Sequence, residues 1–243
     1  MALNQSFHCL LNSNLNIEIK YLKRARRLTI RVLGTGAVRV TAPIRTKESE
    51  IQMMLDKHSN WILEKYKMIE SRPKSKILQM INGEVLPFYG EQLILKVIDG
   101  KGTVSRFENE LIVPVPLKLT NSSDETFIQK HIQKLLIKWY QAQALKKITE
   151  RVPYFENQIQ VQSKSISIKN YKSRWGSCSS KGDLIFNWQI ITFEKILFDY
   201  VIAHEICHLK EMNHSPKFYA WLTRLGFRKS EIHQQMKNVR NLF

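Results

Sequence analysis

Residues 191–209, ITFEKILFDYVIAHEICHL, are apolar almost throughout, with Ile196, Leu197, Phe198, Tyr200, Val201, Ile202, Ala203, Ile206 and Leu209 spread around the helical circumference. A helix that is apolar on every face is a buried one. Yet the same run carries His204, Glu205 and His208. A carboxyl and two imidazoles are expensive to bury unless they are paired or coordinate a metal. The segment therefore demands a central helix whose last turns open onto something that satisfies three polar groups.

The spacing says what that something is. His204 and His208 are four apart, so on a helix they stand one above the other on a single face. Two imidazoles so placed can grip one Zn²⁺, with Glu205 beside the ion to take a proton from a bound water. His214, six residues after His208, supplies a third nitrogen once the helix ends and the chain turns back. Three protein ligands with a fourth position open is the arrangement of a catalytic zinc, and it points to a hydrolase, a peptidase first of all. The competing reading makes His204 and His208 core histidines bonded to carbonyls, and His214 an exposed loop residue.

Ser215-Pro216 bears on that choice. Serine suits an N-cap and proline the first helical position, so a new helix is expected directly after His214, through Phe218, Tyr219, Trp221 and Leu222, stopping at Gly226. His214 would then sit in a corner fixed by helices on both sides. Cys207 lies about 100° round the helix from His208 and reads as a small buried apolar residue, not a ligand.

The chain of 243 residues is long enough for a real core, and 43% hydrophobic and 10% aromatic content belong to a globular protein. No stretch approaches the ~20 apolar residues of a membrane span, and the first twenty residues show no secretory signal. Three cysteines, Cys9, Cys178 and Cys207, are too few for a disulfide framework and fit a reducing cytoplasm. The net charge of +17 is spread over both halves, which favours weak, salt-sensitive attraction to nucleic acid or other polyanions. No nucleic-acid reading motif accompanies it.

Along the chain, alternating runs at Ile17–Leu22, Leu28–Leu33 and Val38–Thr41 predict a β-meander with a tight turn at Gly34-Thr35-Gly36. The cluster Lys20, Lys23, Arg24, Arg26, Arg27 and Arg31 falls in it, as a solvated sheet face or a polyanion-binding strip. A helix is expected from Thr46 to about Ser71, broken by SRPKSK, then strands at Gln92–Val97 and Glu110–Val115. Polar, turn-like residues 116–124 mark the expected boundary between a β-rich N-terminal domain with one helix, 1–119, and a C-terminal domain, 120–243. A long helix from about Asp124 to Arg151, strands at Ile166–Ile168 and Leu184–Trp188, and the metal-motif helix follow. The fold class is α+β.

KSRWGSCSSKGDLIFNWQI, followed by DYVIAHEICHLKEMNHSPKFYAWL, resembles the YgjP-like metallopeptidase family, with SprT and WLM zinc peptidases as its relatives. The matching letters are Arg174-Trp175-Gly176-Ser177-Cys178, Asn187-Trp188, Asp199-Tyr200-Val201, the HExxH-x5-H set and Asn213-His214-Ser215. The resemblance implies a zincin-like C-terminal domain, zinc ligands His204, His208 and His214, and Glu205 as general base.

On that mechanism a donor must meet the developing oxyanion, and Tyr171, Arg174 and Tyr219 are the candidates. An extended peptide would pair with a sheet edge, expected at Leu184–Trp188, with the Trp175–Cys178 turn as a wall. Trp175, Arg174 and Tyr219 are thus the expected substrate contacts, although Trp175 and Trp188 also suit plain core packing. Two other readings remain open: a metal-dependent hydrolase of nucleotide phosphoanhydrides, and a DNA-associated protease acting on DNA-bound proteins.

Overall fold

The computed structural model describes residues 15–70, 78–116, 125–239 and 242–243. The chain divides into two compact units, Met1–Lys74 and Ser75–Phe243. The boundary expected at 119/120 falls inside the second of these, because strands from residues 85–115 share one apolar cluster with the long helix that follows.

In the first unit, β1 (Ile17–Leu22), β2 (Thr29–Val32) and β3 (Val38–Pro43) form a sheet of order β1-β3-β2. The expected meander is corrected here. β2 and β3 form the hairpin, turning at Gly36 with φ 85°, but β1 runs parallel to β3 and is not paired with β2. The predicted single helix is two, α1 (Glu48–Lys57) and α2 (Ser59–Glu70), separated at His58. Alternation along β3 turns Val38, Val40 and Ala42 inward, where they meet Ile51, Leu55 and Ile62 of the helices.

The second unit is mixed. β4 (Val85–Phe88), β5 (Glu91–Asp99), β6 (Ser105–Phe107) and β7 (Glu110–Val115) form a sheet of order β4-β5-β7-β6, in which β5 and β7 are parallel. Helix α3 (Glu125–Ile159) runs eight residues past its expected end, with Pro153 inside it. Proline removes one helical hydrogen bond. The buried stripe nevertheless continues through Val152, Phe155 and Ile159, and that burial carries the helix on. The third sheet, β8 (Ser165–Lys169), β9 (Gly176–Cys178) and β10 (Asp183–Asn187), has order β8-β10-β9.

Against this scaffold lies α4 (Lys195–Cys207), the helix of the HEICH motif. Leu197, Phe198, Val201, Ile202, Ala203, Ile206 and Cys207 are all buried, so it is surrounded as its composition requires. A fully buried Phe contributes roughly 1.5–3 kcal/mol. Arg151 of α3 clamps it through a bidentate pair with Asp199, 2.8 Å from Nε to Oδ1 and 2.7 Å from Nη2 to Oδ2. Helices α5 (Pro216–Arg224) and α6 (Lys229–Asn238) complete the unit. No helix among the described residues is long and apolar enough to cross a membrane.

Candidate metal centre

His204 sits in the last turn of α4, and His208 caps it with αR backbone angles. The chain then turns, and Ser215 begins α5 as its N-cap, its Oγ accepting from the Phe218 N–H at 3.3 Å with Pro216 in the first turn. That helix ends as expected, at Gly226 with φ 91°. His214 is therefore held between two helices. The three imidazoles can hold a metal ion, since one nitrogen from each lies within 4.8 Å of the others. Three nitrogens around a tetrahedral zinc stand about 3.3 Å apart at Zn–N of ~2.0–2.1 Å, so a modest adjustment of the rings suffices.

The ring nitrogens are sorted for that task. His204 Nε2 and His214 Nε2 lie 2.9 Å apart, an approach that brings these two ring nitrogens to one place. His208 Nδ1 lies 3.1 Å from the Glu211 carbonyl, so as the donor there it leaves Nε2 bare. Such an outer bond orients a ligating imidazole. His204 Nδ1 is buried and has no partner among the described residues. Burial drives His204 down to about 3, helped by His208 and His214, and lowers His208 as well, which favours the neutral, ligating form of these two rings. Beneath the cluster lies Phe218, fully buried, with its ring centroid 4.9, 4.6 and 4.7 Å from those of His204, His208 and His214. Its sequence signal was slight: an aromatic one turn after His214.

Glu205 is 6% exposed, and burial pushes its carboxyl up to about 8, with Arg174 drawing it back down. The room for it comes from a residue that sequence reasoning did not single out for this purpose. A Cβ on Gly176 would stand 2.6 Å from Glu205 Cγ and Oε1. Only glycine lets β9 and α4 approach so closely.

A cleft of about 250 Å³ opens beside Glu205, lined by Arg174, Trp175, Gly176, Tyr200, Val201, His204, Glu205 and Met236. Trp175 both lines this cleft and packs edge-on against Phe193 at 4.7 Å. Trp188 is core, 1% exposed. Tyr219 lies outside the cleft lining and stacks on His214 at 6.3 Å. The Tyr171 hydroxyl is 3.1 Å from Ser177 Oγ, and the Arg174 guanidinium lies over the Tyr171 ring. Tyr200 and Met236 line the site without having been foreseen. Cys207 is fully buried and its thiol is pushed up to about 12, as expected of a packing residue.

The expected sheet edge is corrected. β10 is the central strand, flanked by β8 and β9, because it pairs on both sides. The open edge nearest Glu205 is β9. Asn187 N bonds to Trp175 O and Ser179 N to Asp183 O, so by antiparallel alternation the Gly176 and Cys178 backbone groups point away from β10.

The YgjP-like, metallopeptidase domain family model matches residues 26–239. No curated protein matches the chain. Among solved structures it is similar to the metallopeptidase zymogen abylysin of Pyrococcus abyssi, at 19% identity over 40% of this chain and 99% of that one, TM-score 0.35. It is also similar to the metallopeptidase zymogen jannalysin of Methanocaldococcus jannaschii, at 30% identity over 40% of this chain and 97% of that one, TM-score 0.34. With the family match running from the first sheet through α4 to α6, the chain belongs to the YgjP-like metallopeptidase family and is a metal-dependent peptidase.

Proposed function

We propose that the protein is a zinc metallopeptidase of zincin-like design, with His204, His208 and His214 as the ligands and Glu205 as the general base. The observation that carries this is three imidazoles with a nitrogen each within 4.8 Å of the others, one of which, His204, lines a cleft together with the buried Glu205. Three nitrogen donors with a fourth side open suit a catalytic zinc. Zinc, when bound, supplies Lewis acidity toward water and toward a scissile carbonyl.

The chain's own residues do the rest. Glu205 receives the proton of the attacking water at a carboxylate oxygen and delivers it to the leaving amine nitrogen. Burial raises the carboxyl to about 8, so its anion is a stronger base than that of an exposed glutamate, and the proton-accepting form grows as pH rises toward 8. Gly176 and Cys178 offer backbone groups at an open edge, where an extended peptide can add as a further strand beside the carboxyl. Trp175 and Tyr200 give the cleft aromatic walls, and Arg174 supplies a positive charge at its rim. Tyr219, stacked on His214, is the remaining candidate contact and oxyanion donor.

Among the described residues Arg174 is the one cationic side chain lining the cleft, too little charge to seat a nucleoside polyphosphate, so the phosphoanhydride reading gains no support. Cys178 and Cys207 are free, which suits a cytoplasmic protein.

The test pairs two variants. Glu205→Gln keeps zinc near one per chain while hydrolysis of a peptide library falls by about 10²–10⁴. His204→Ala loses the metal. Full activity in the first, or stoichiometric zinc in the second, overturns the assignment.

A further inference from the structure

The charge of the first unit is segregated, and the segregation follows the fold. Residues 15–47, which hold the sheet and its loops, carry nine Lys and Arg against one carboxylate, Glu18; residues 48–70, which hold α1 and α2, carry three against five. The helices cover the inner face of the sheet through Ile51, Leu55 and Ile62. Register places Glu18, Arg39 and Arg31 side by side on the opposite face, with Lys20 beside Thr41 one pleat further on. The β1–β2 loop adds Lys23, Arg24, Arg26 and Arg27, all exposed.

That face is under-neutralised. Glu18 already serves both Arg39, at 2.7 Å, and Lys20, at 3.1 Å. Among the described residues no carboxylate pairs with Lys23, Arg24, Arg26, Arg27 or Arg31. Cations standing next to like charges are unfavourable in isolation, so the arrangement calls for an anionic partner. Arginine outnumbers lysine six to three in this stretch, and the planar guanidinium is the group that matches phosphate oxygens in pairs.

We propose that the outer face of the β1-β3-β2 sheet, with the loop Lys23–Arg27, is a binding surface for the phosphate backbone of nucleic acid. The surface is independent of the metal centre, so its failure and the failure of the peptidase reading are separate results. Contact with about five phosphates makes log K fall against log salt with a slope of about −4.5, a loss of about 500-fold between 50 and 200 mM.

The test measures anisotropy of a labelled 20-base-pair DNA duplex titrated with the full chain across that salt range. Replacing Arg24, Arg26 and Arg27 with alanine should weaken binding at least tenfold at low salt and flatten the slope by about 2.7. Replacing Lys57, Lys65 and Lys67, which removes the same charge from the helices, should change affinity less than twofold. Equal losses in the two triple variants would show that dispersed net charge is responsible and would overturn the proposal. So would the absence of salt-dependent binding, or tighter binding to phosphatidylserine vesicles than to the duplex.

Discussion

Replacing Gly176 with alanine inserts one methyl group into the contact between β9 and the candidate base. The added Cβ would stand 2.6 Å from Glu205 Cγ and Oε1 and 2.7 Å from Cδ, whereas non-bonded carbons rest about 3.5–4.0 Å apart. The carboxyl must retreat by about 1 Å, within a helix whose neighbouring side chains are buried on all sides. Overpacking of this kind destabilises by about 1–3 kcal/mol, which in a unit of this size lowers Tm by roughly 2–12 °C. A base displaced by about 1 Å loses on the order of 10² in kcat/KM. Zinc content should hold near one per chain, because the three atoms nearest the added methyl all belong to Glu205 and not to an imidazole. Calorimetry, metal analysis and cleavage of a quenched peptide library read the three effects. The decisive control is Glu205→Ala, which removes the atoms that the methyl strikes. In that background Gly176→Ala should be nearly neutral, giving a coupling of about 1–3 kcal/mol. Wild-type Tm and turnover in Gly176→Ala, or an undiminished loss in the double variant, would refute the contact as the reason for glycine.

Three further outcomes follow from the same geometry. Phe218→Ala removes the ring beneath the three imidazoles and should destabilise by about 3–5 kcal/mol while weakening zinc affinity, with Phe218→Leu recovering much of both; a chelator competition assay reads the affinity. Asp199→Ala strands Arg151 against α4 and should lower stability by about 2–3 kcal/mol in denaturant unfolding without changing zinc stoichiometry. Burial first, then Glu205 and Asp183, pushes the Cys178 thiol up to about 11. Its thiolate fraction therefore rises tenfold per pH unit from pH 8 to 10, and peptide-level mass spectrometry should show alkylation by iodoacetamide climbing in step; a rate already saturated at pH 9 would contradict that.

What the sequence made legible is local. The HEICH spacing, the Ser215-Pro216 start and the Gly226 stop are each set within one or two helical turns, and all three stand where the residues put them. Pairings between distant segments were not legible. β1 joins β3 across an intervening strand, and a parallel pairing has no turn residue to announce it. β10 looked like an edge because nothing in Asp183–Asn187 tells how many neighbours it has; two strands claimed it. The long helix was expected to end near Arg151, yet the stripe from Val152 to Ile159 reaches the core and carries the helix past Pro153. Gly176 and Glu205 are far apart along the chain, so the contact that gives the carboxyl its space exists only after β9 and α4 have met. Phe218 was seen as a helix residue, while its place under three imidazoles depends on how α5 returns across the end of α4.

X-ray absorption at the zinc edge of the purified protein tests the central claim most directly. Three imidazole nitrogens at ~2.0–2.1 Å with one further light oxygen scatterer are expected, with collapse of that shell in His208→Ala. A sulfur scatterer near 2.3 Å, or a fourth imidazole completing the shell, would show a different or closed site and would contradict it.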